Sequence, residues 1–357
     1  MKAHHLSQLF LLGLRENRWS AALERRLRRS SPSGVLLDTP LPRSAESTSE
    51  LLYRIARTLP QPSFLALRQE GGTNDPLSRF LAPLPSPRAA ADRGLSAAAR
   101  LGDLIGEALR LLGFNTDFAP LLDLATPFTA KTLGARTFSS DPHQVAECGG
   151  AFLRGLQRHK VLACGKHFPG WGSVPLDNPH TLPVSGKPMA DIWREDLVSF
   201  RELLPQLPMT LISNAAYKAY DLDHAQPASL SAQVVTGLLR TKLGYRGLAL
   251  AYDLESPAVR RARDLGEAVI EATNAGCDLL VVNQGESIEV GRRALEAALE
   301  TGKLLPQRVE DVVRRIQAAQ KGLRRPSGTL PVRSFDRLAR EFEEFNQRVR
   351  AGGEIEA

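Results

Sequence analysis

Cysteine is scarce in this chain: Cys148, Cys164 and Cys277 lie far apart, with no Cys-x-x-Cys pair and no Cys/His metal spacing. That excludes a disulfide framework and a zinc site as organising features and leaves three buried free thiols as the expectation. Long apolar runs are missing too. The longest, Gln8 to Leu14 and Cys277 to Val282, fall far short of the ~20 residues that span a bilayer. The N-terminal apolar stretch runs into Arg15 and Glu16 without a small-residue cleavage site, so no secretory signal is read and a cytoplasmic protein is expected. Aromatics make up only 6% of the residues. The net charge of +7 gathers at Arg25-Arg26-Leu27-Arg28-Arg29, Arg314-Arg315 and Arg324-Arg325, without aromatic interleaving or a nucleic-acid module. These clusters read as solvated helix faces, so neither nucleic acid nor membrane is an expected partner. No metal and no cofactor is expected either.

What the 357 residues do contain is a regular alternation of short apolar runs with longer helical patterns, the sign of a parallel α/β fold. Eight strand-like runs can be named: 9–14, 34–38, 64–68, 117–124, 161–168, 209–214, 248–253 and 277–283. Between them, residues 89–112, 142–159, 232–243 and 258–275 carry apolar side chains at three- and four-residue spacing. The predicted fold is α/β, a single (β/α)8 TIM-type barrel with a C-terminal helical extension. Its expected domains are a barrel over 1–325 and a linker with a charged helix over 326–357, the exit marked by Pro326, Ser327, Gly328 and Pro331.

In such a barrel, catalytic groups project from the carboxyl ends of the strands. Those ends are polar here: Arg68-Gln69-Glu70-Gly71-Gly72 closes the third run, Asp123 the fourth, Lys166-His167 the fifth and Asp253 the seventh. The longest polar segment, Lys166 to Pro183, places six Gly/Pro residues and four ionisable side chains directly after an apolar run. A long loop at a strand end is where binding and catalytic groups concentrate.

The opening Lys166-His167-Phe168-Pro169-Gly170, with Gly172, Asp177 and the closing Leu182-Pro183, resembles the signature loop of glycoside hydrolase family 3, in its bacterial β-N-acetylhexosaminidase branch. Gln69-Glu70-Gly71-Gly72, Phe118-Ala119-Pro120-Leu121-Leu122-Asp123, Gly134-Ala135-Arg136-Thr137-Phe138, Pro227 to Ser231 and Ala275 to Asp278 resemble further family segments in the same order. The resemblance covers roughly residues 8–320. It implies O-glycosyl hydrolysis of a terminal N-acetylglucosaminide-type sugar, with a small carbohydrate or cell-wall fragment as partner. It also implies that Arg68, Asp123, Arg136, Lys166 and His167 lie where the family binds sugar hydroxyls, a task suited to charged donors at a pocket floor.

The reacting centre departs from the family pattern. Retaining glycosidases need a carboxylate nucleophile and a separate acid/base. Gly244-Tyr245-Arg246-Gly247 aligns without a gap to the family's nucleophile segment and puts Tyr252 where the aspartate stands, with Asp253 next to it. An unperturbed phenol, with a pKa near ~10, is only about 0.1% ionised at neutral pH. The acid/base pair of the branch, Asp-x-His, reads Asp177-Asn178-Pro179-His180 here, one residue wider. Trp171 and Ser173 replace a His and an Asp, and Arg68 reverses the charge of a sugar-binding Asp. Two functions stay open on these grounds. One is a hydrolase with altered activity, using Asp177 and His180 as acid/base and Asp253 or Tyr252 as nucleophile; the other is a pseudoenzyme that binds carbohydrate or a partner on the same barrel.

Overall fold

The computed structural model describes residues 3–59, 62–176, 178 and 181–352. Eight parallel strands close into a barrel: β1 (Phe10–Leu14), β2 (Gly34–Leu37), β3 (Phe64–Leu67), β4 (Thr116–Asp117), β5 (Leu162–Phe168), β6 (Met209–Ile212), β7 (Leu248–Ala251) and β8 (Leu279–Val282). Each pairs with its sequence neighbour, Leu11 opposite Gly34 and Gly34 opposite Phe64, and Phe10 opposite Leu280 closes the ring. Six of the strands are buried along their whole length and made almost entirely of aliphatic residues, because helices cover one face and the barrel interior the other.

All eight apolar runs of the sequence become strands, but the fourth is cut short. Only Thr116 and Asp117 pair regularly; Phe118 to Leu124 stays buried yet irregular. Pro120 has no N–H to donate to a ladder. The segment instead offers carbonyls, with Ala119 O accepting from Cys164 N (3.0 Å) and Pro120 O from Lys166 N (3.2 Å). The chain thereby rises beside β5 and delivers Asp123 to the mouth.

The helical patterns hold with two breaks. The stretch predicted as one helix from 89 to 112 divides into Pro87–Ala91 and Leu95–Leu112, with Gly94 between them at φ 92°. The stretch 258–275 divides into Pro257–Arg260 and Leu265–Ala275, the second opened by a reciprocal cap between Asp264 and Glu267. Helices Leu95–Leu112 and Pro142–Arg158 meet at Gly102 and Gly155, where a Cβ would lie 2.2 Å from Phe152 O and 2.4 Å from Asp103 N. Close approach of the two backbones is what these glycines permit.

The C-terminal helix Val332–Ala351 is charged outside and apolar inside, as its sequence predicts. It buries Phe335, Leu338, Phe342, Phe345 and Val349 against the barrel's outer layer. Arg100 pairs with Glu341 at 2.6 Å and Arg337 with Glu107, tying it to helix Leu95–Leu112. Cys148, Cys164 and Cys277 are free and buried. Among the described residues no helix is long and apolar enough to cross a membrane.

Candidate active site at the carboxyl ends of the strands

The polar strand ends meet in two linked clusters. The deeper one centres on Glu70, just beyond β3. Its carboxylate accepts from Arg136 Nε (2.7 Å) and Nη2 (2.8 Å) and pairs with Lys166 Nζ at 2.5 Å. Glu70 and Lys166 are each only 2% exposed, so neither charge is shared with solvent. Burial alone would raise the Glu70 carboxyl, but Lys166 and Arg136 overcome it and hold the group well below the usual carboxylate range. Lys166 also donates to Phe118 O on the irregular fourth segment. Arg136 keeps its remaining guanidinium nitrogen for other partners.

Beside this cluster, Asp123 orients His167. Its Oδ2 accepts from His167 Nδ1 at 2.7 Å, and its Oδ1 accepts from the backbone N–H groups of His167 (3.3 Å) and Trp171 (2.8 Å). Burial, aided by the charges of Lys166 and Arg136 and opposed by Asp123, pushes the imidazole below its ordinary range. The ring is therefore neutral at pH 7, with its proton on Nδ1 and Nε2 left as an acceptor. Trp171 covers it: the two rings stack at 3.5 Å between centroids and 4° between planes, and the indole Nε1 donates to Ser213 Oγ at 2.7 Å. The loop reaches this position because Gly170 adopts φ 122°, and at both Gly170 and Gly172 a Cβ would collide with Asp196, at 2.8 and 2.4 Å.

The shallower cluster joins β2, β3 and β7. Arg68 pairs with Asp38 at the end of β2, and its guanidinium lies over the Tyr252 ring, 5.6 Å from the centroid. Tyr252 donates its hydroxyl to Asp38 Oδ2 at 3.1 Å and packs edge-on against Phe118. Burial raises the phenol pKa, with Asp38 and Asp253 adding to it and Arg68 opposing, so the phenol is neutral at any physiological pH. The strand ends at Ala251, before both residues, so strict side-chain alternation no longer separates Tyr252 from Asp253. Tyr252 turns toward β3 and Asp253 toward β8. Asp253 accepts from Glu255 N (2.7 Å) and Asn283 Nδ2 (2.6 Å), while its carbonyl accepts from Asn214 Nδ2 (2.9 Å). Burial lifts its carboxyl to about 6, helped by the neighbouring charges of Glu255 and Asp38.

The structure thus gathers Arg68, Asp123, Arg136, Lys166, His167, Tyr252 and Asp253 at one end of the barrel. Asp177 and His180 lie outside the described residues. Arg136 is braced by Glu70. Three further contributors were not singled out from sequence. Glu70 sits inside a quoted motif without an assigned role, Asp38 ends the second apolar run, and Asn283 ends the eighth; position at a strand terminus was the available signal.

Fold and site together define a (β/α)8 barrel whose polar groups converge at the carboxyl ends of its strands. A family model described as "Glycosyl hydrolase family 3 N terminal domain" matches residues 6–319. The chain is 31% identical over 283 residues to a β-hexosaminidase of Pseudomonas aeruginosa, covering 78% of this chain and 83% of that protein. It is 32% identical over 271 residues to a β-hexosaminidase of Bordetella avium, covering 72% of this chain and 75% of that protein. Among solved structures, a family 3 β-N-acetylglucosaminidase from Paenibacillus superposes with a TM-score of 0.85 at 26% identity, over 97% of this chain and 69% of that one. The protein belongs to glycoside hydrolase family 3, in the branch of these β-hexosaminidases.

Proposed function

We propose that the protein binds a terminal N-acetylglucosaminide-type sugar, or a cell-wall fragment ending in one, and turns it over slowly or not at all. One observation carries this reading: at the position aligned with the family's nucleophile stands a neutral phenol, hydrogen-bonded to Asp38 and covered by Arg68. A nucleophile must be ionised or have a base ready to take its proton. Asp38 is hydrogen-bonded to the phenol, but burial and two nearby carboxylates raise the phenolate's cost, and Arg68 already holds Asp38. The binding half rests on Lys166 and Arg136, fixed cations at the mouth, and on the stacked Trp171, whose flat indole suits the apolar face of a sugar ring.

A second reading is favoured by Asp253. A half-buried carboxyl raised to about 6 directly follows the aligned position at the barrel mouth and, once ionised, can serve as the nucleophile that Tyr252 cannot. Residual hydrolysis would then run through Asp253. Both readings are tested by one pair of measurements: turnover of a chromogenic aryl N-acetyl-β-glucosaminide, and calorimetric binding of N-acetylglucosamine. The proposal expects binding with little or no turnover. Robust hydrolysis abolished by Asp253→Asn would replace it with the second reading, and absence of sugar binding would remove the carbohydrate assignment.

A further inference from the structure

A second recess opens on the same face of the barrel, over the loops that follow β1, β2 and β3. It is a cleft of about 550 Å³ lined by Asn17, Arg18 and Trp19 from the first loop, Arg43 from the second, Arg79 from the third, and Arg54 from the helix between β2 and β3. Four arginines face one carboxylate there, Glu50, and Arg54 takes it at 2.7 Å. Arg18 and Arg43 pair with no carboxylate among the described residues. Arg79 donates its Nε to Pro42 O at 3.0 Å, which fixes the side chain and leaves its terminal nitrogens uncommitted among the described residues. Three guanidinium groups without anionic partners among the described residues, drawn from three consecutive loops, line one concave cationic recess rather than a helix stripe.

Arg79 also lines an adjoining cavity of about 480 Å³, to which Asp38 and Arg68 contribute as well. The cationic cleft and the cavity that reaches Asp38 and Arg68 therefore share Arg79 in their linings. Guanidinium forks match phosphate oxygens in a planar, two-bond geometry, and three forks suit a group carrying close to two negative charges.

We propose that this cleft binds the phosphomonoester group of an anionic ligand, a phosphorylated saccharide whose sugar lies toward the mouth. The cleft assignment stands on its own geometry; the saccharide half rests on the function proposed above.

Calorimetry on the full chain at physiological salt tests it with three probes: inorganic phosphate, N-acetylglucosamine and N-acetylglucosamine 6-phosphate. The phosphorylated sugar should bind at least tenfold more tightly than the neutral one. Arg18→Ala combined with Arg43→Ala should erase that advantage, abolish phosphate binding and leave the neutral sugar unchanged. If the double variant melts early, the two single variants give the same comparison. Phosphate binding that the variant removes, with no sugar binding at all, upholds the cleft and overturns the saccharide half. A phosphorylated sugar that binds no better than the neutral one, or an advantage that survives the double variant, overturns the proposal.

Discussion

Glu70→Gln isolates the deepest electrostatic commitment of the mouth. Glutamine preserves the volume and one acceptor, so packing is little changed, but it removes the charge that compensates Arg136 and Lys166. Removing one partner of a buried ion pair costs about 3–5 kcal/mol, because the remaining charges stay desolvated and unpaired. With an unfolding entropy of about 2.1 cal/mol/K per residue, the 357-residue chain should lose roughly 4–7 °C in melting temperature. The pH dependence supplies the sign. A carboxyl whose folded pKa lies below its unfolded value stabilises fully above the unfolded value and loses that contribution as pH falls through the folded one. Wild type should therefore begin to lose stability relative to Glu70→Gln as pH drops below ~4.5, the two melting temperatures drawing closer by pH ~3 without meeting. Calorimetric melts at pH 7, 5, 4 and 3 measure this. A variant within 1 °C of wild type at pH 7, or a gap independent of pH, would refute the claim that Glu70 is a charged linchpin.

Three further outcomes are expected. Tyr252→Asp should not restore more than a trace of glycosidase activity, because the new carboxylate would sit beside Asp38 and Asp253 with Arg68 still paired to Asp38, and a misplacement of about 1 Å can cost ~100-fold; strong hydrolysis of an aryl N-acetylglucosaminide by this single variant would sink the multiple-defect account. Asp253, raised to about 6 in the fold, contributes stability below pH ~4 that is lost as pH rises through 6, so Asp253→Asn should gain about 1–2 kcal/mol on wild type between pH 4 and 7, and urea titrations at both pH values would detect a flat difference. Phe342→Ala, deleting a fully buried ring of the C-terminal helix, should cost about 3–5 kcal/mol, whereas a loss under 1 kcal/mol in the same titrations would mean that the helix detaches without consequence for the barrel.

The barrel was legible because six of the eight strands are buried on both faces and therefore read as short continuous apolar runs, bounded by polar residues at the ends that form the mouth. The irregular fourth segment was less so: Phe118 to Leu124 is as apolar as a strand, and only Pro120 hints that its pairing stops. Helix breaks at Gly94 and Asp264 were visible as residue types but masked by the three- and four-residue periodicity running through them. Within the site, the identities Arg136, Lys166, His167 and Tyr252 could be read, yet not their partners. Glu70 lies 66 residues from Arg136, and Asp38 lies 214 from Tyr252, distances over which composition and spacing carry no pairing information. Nor does alternation apply to Tyr252 and Asp253, since the strand stops one residue short of them.

The placement of tryptophan gives the molecule a built-in optical readout. There are only three: Trp19 lines the cationic cleft, Trp171 lies flat on His167, and Trp193 sits under Arg201 and Lys242. An indole stacked on an imidazole is quenched when that ring gains a proton and changes its emission when a guest slides over it. Single-tryptophan versions retaining only Trp19 or only Trp171 would report the occupancy of the cleft and of the mouth as separate fluorescence signals, letting the order in which a ligand fills the two compartments be timed directly.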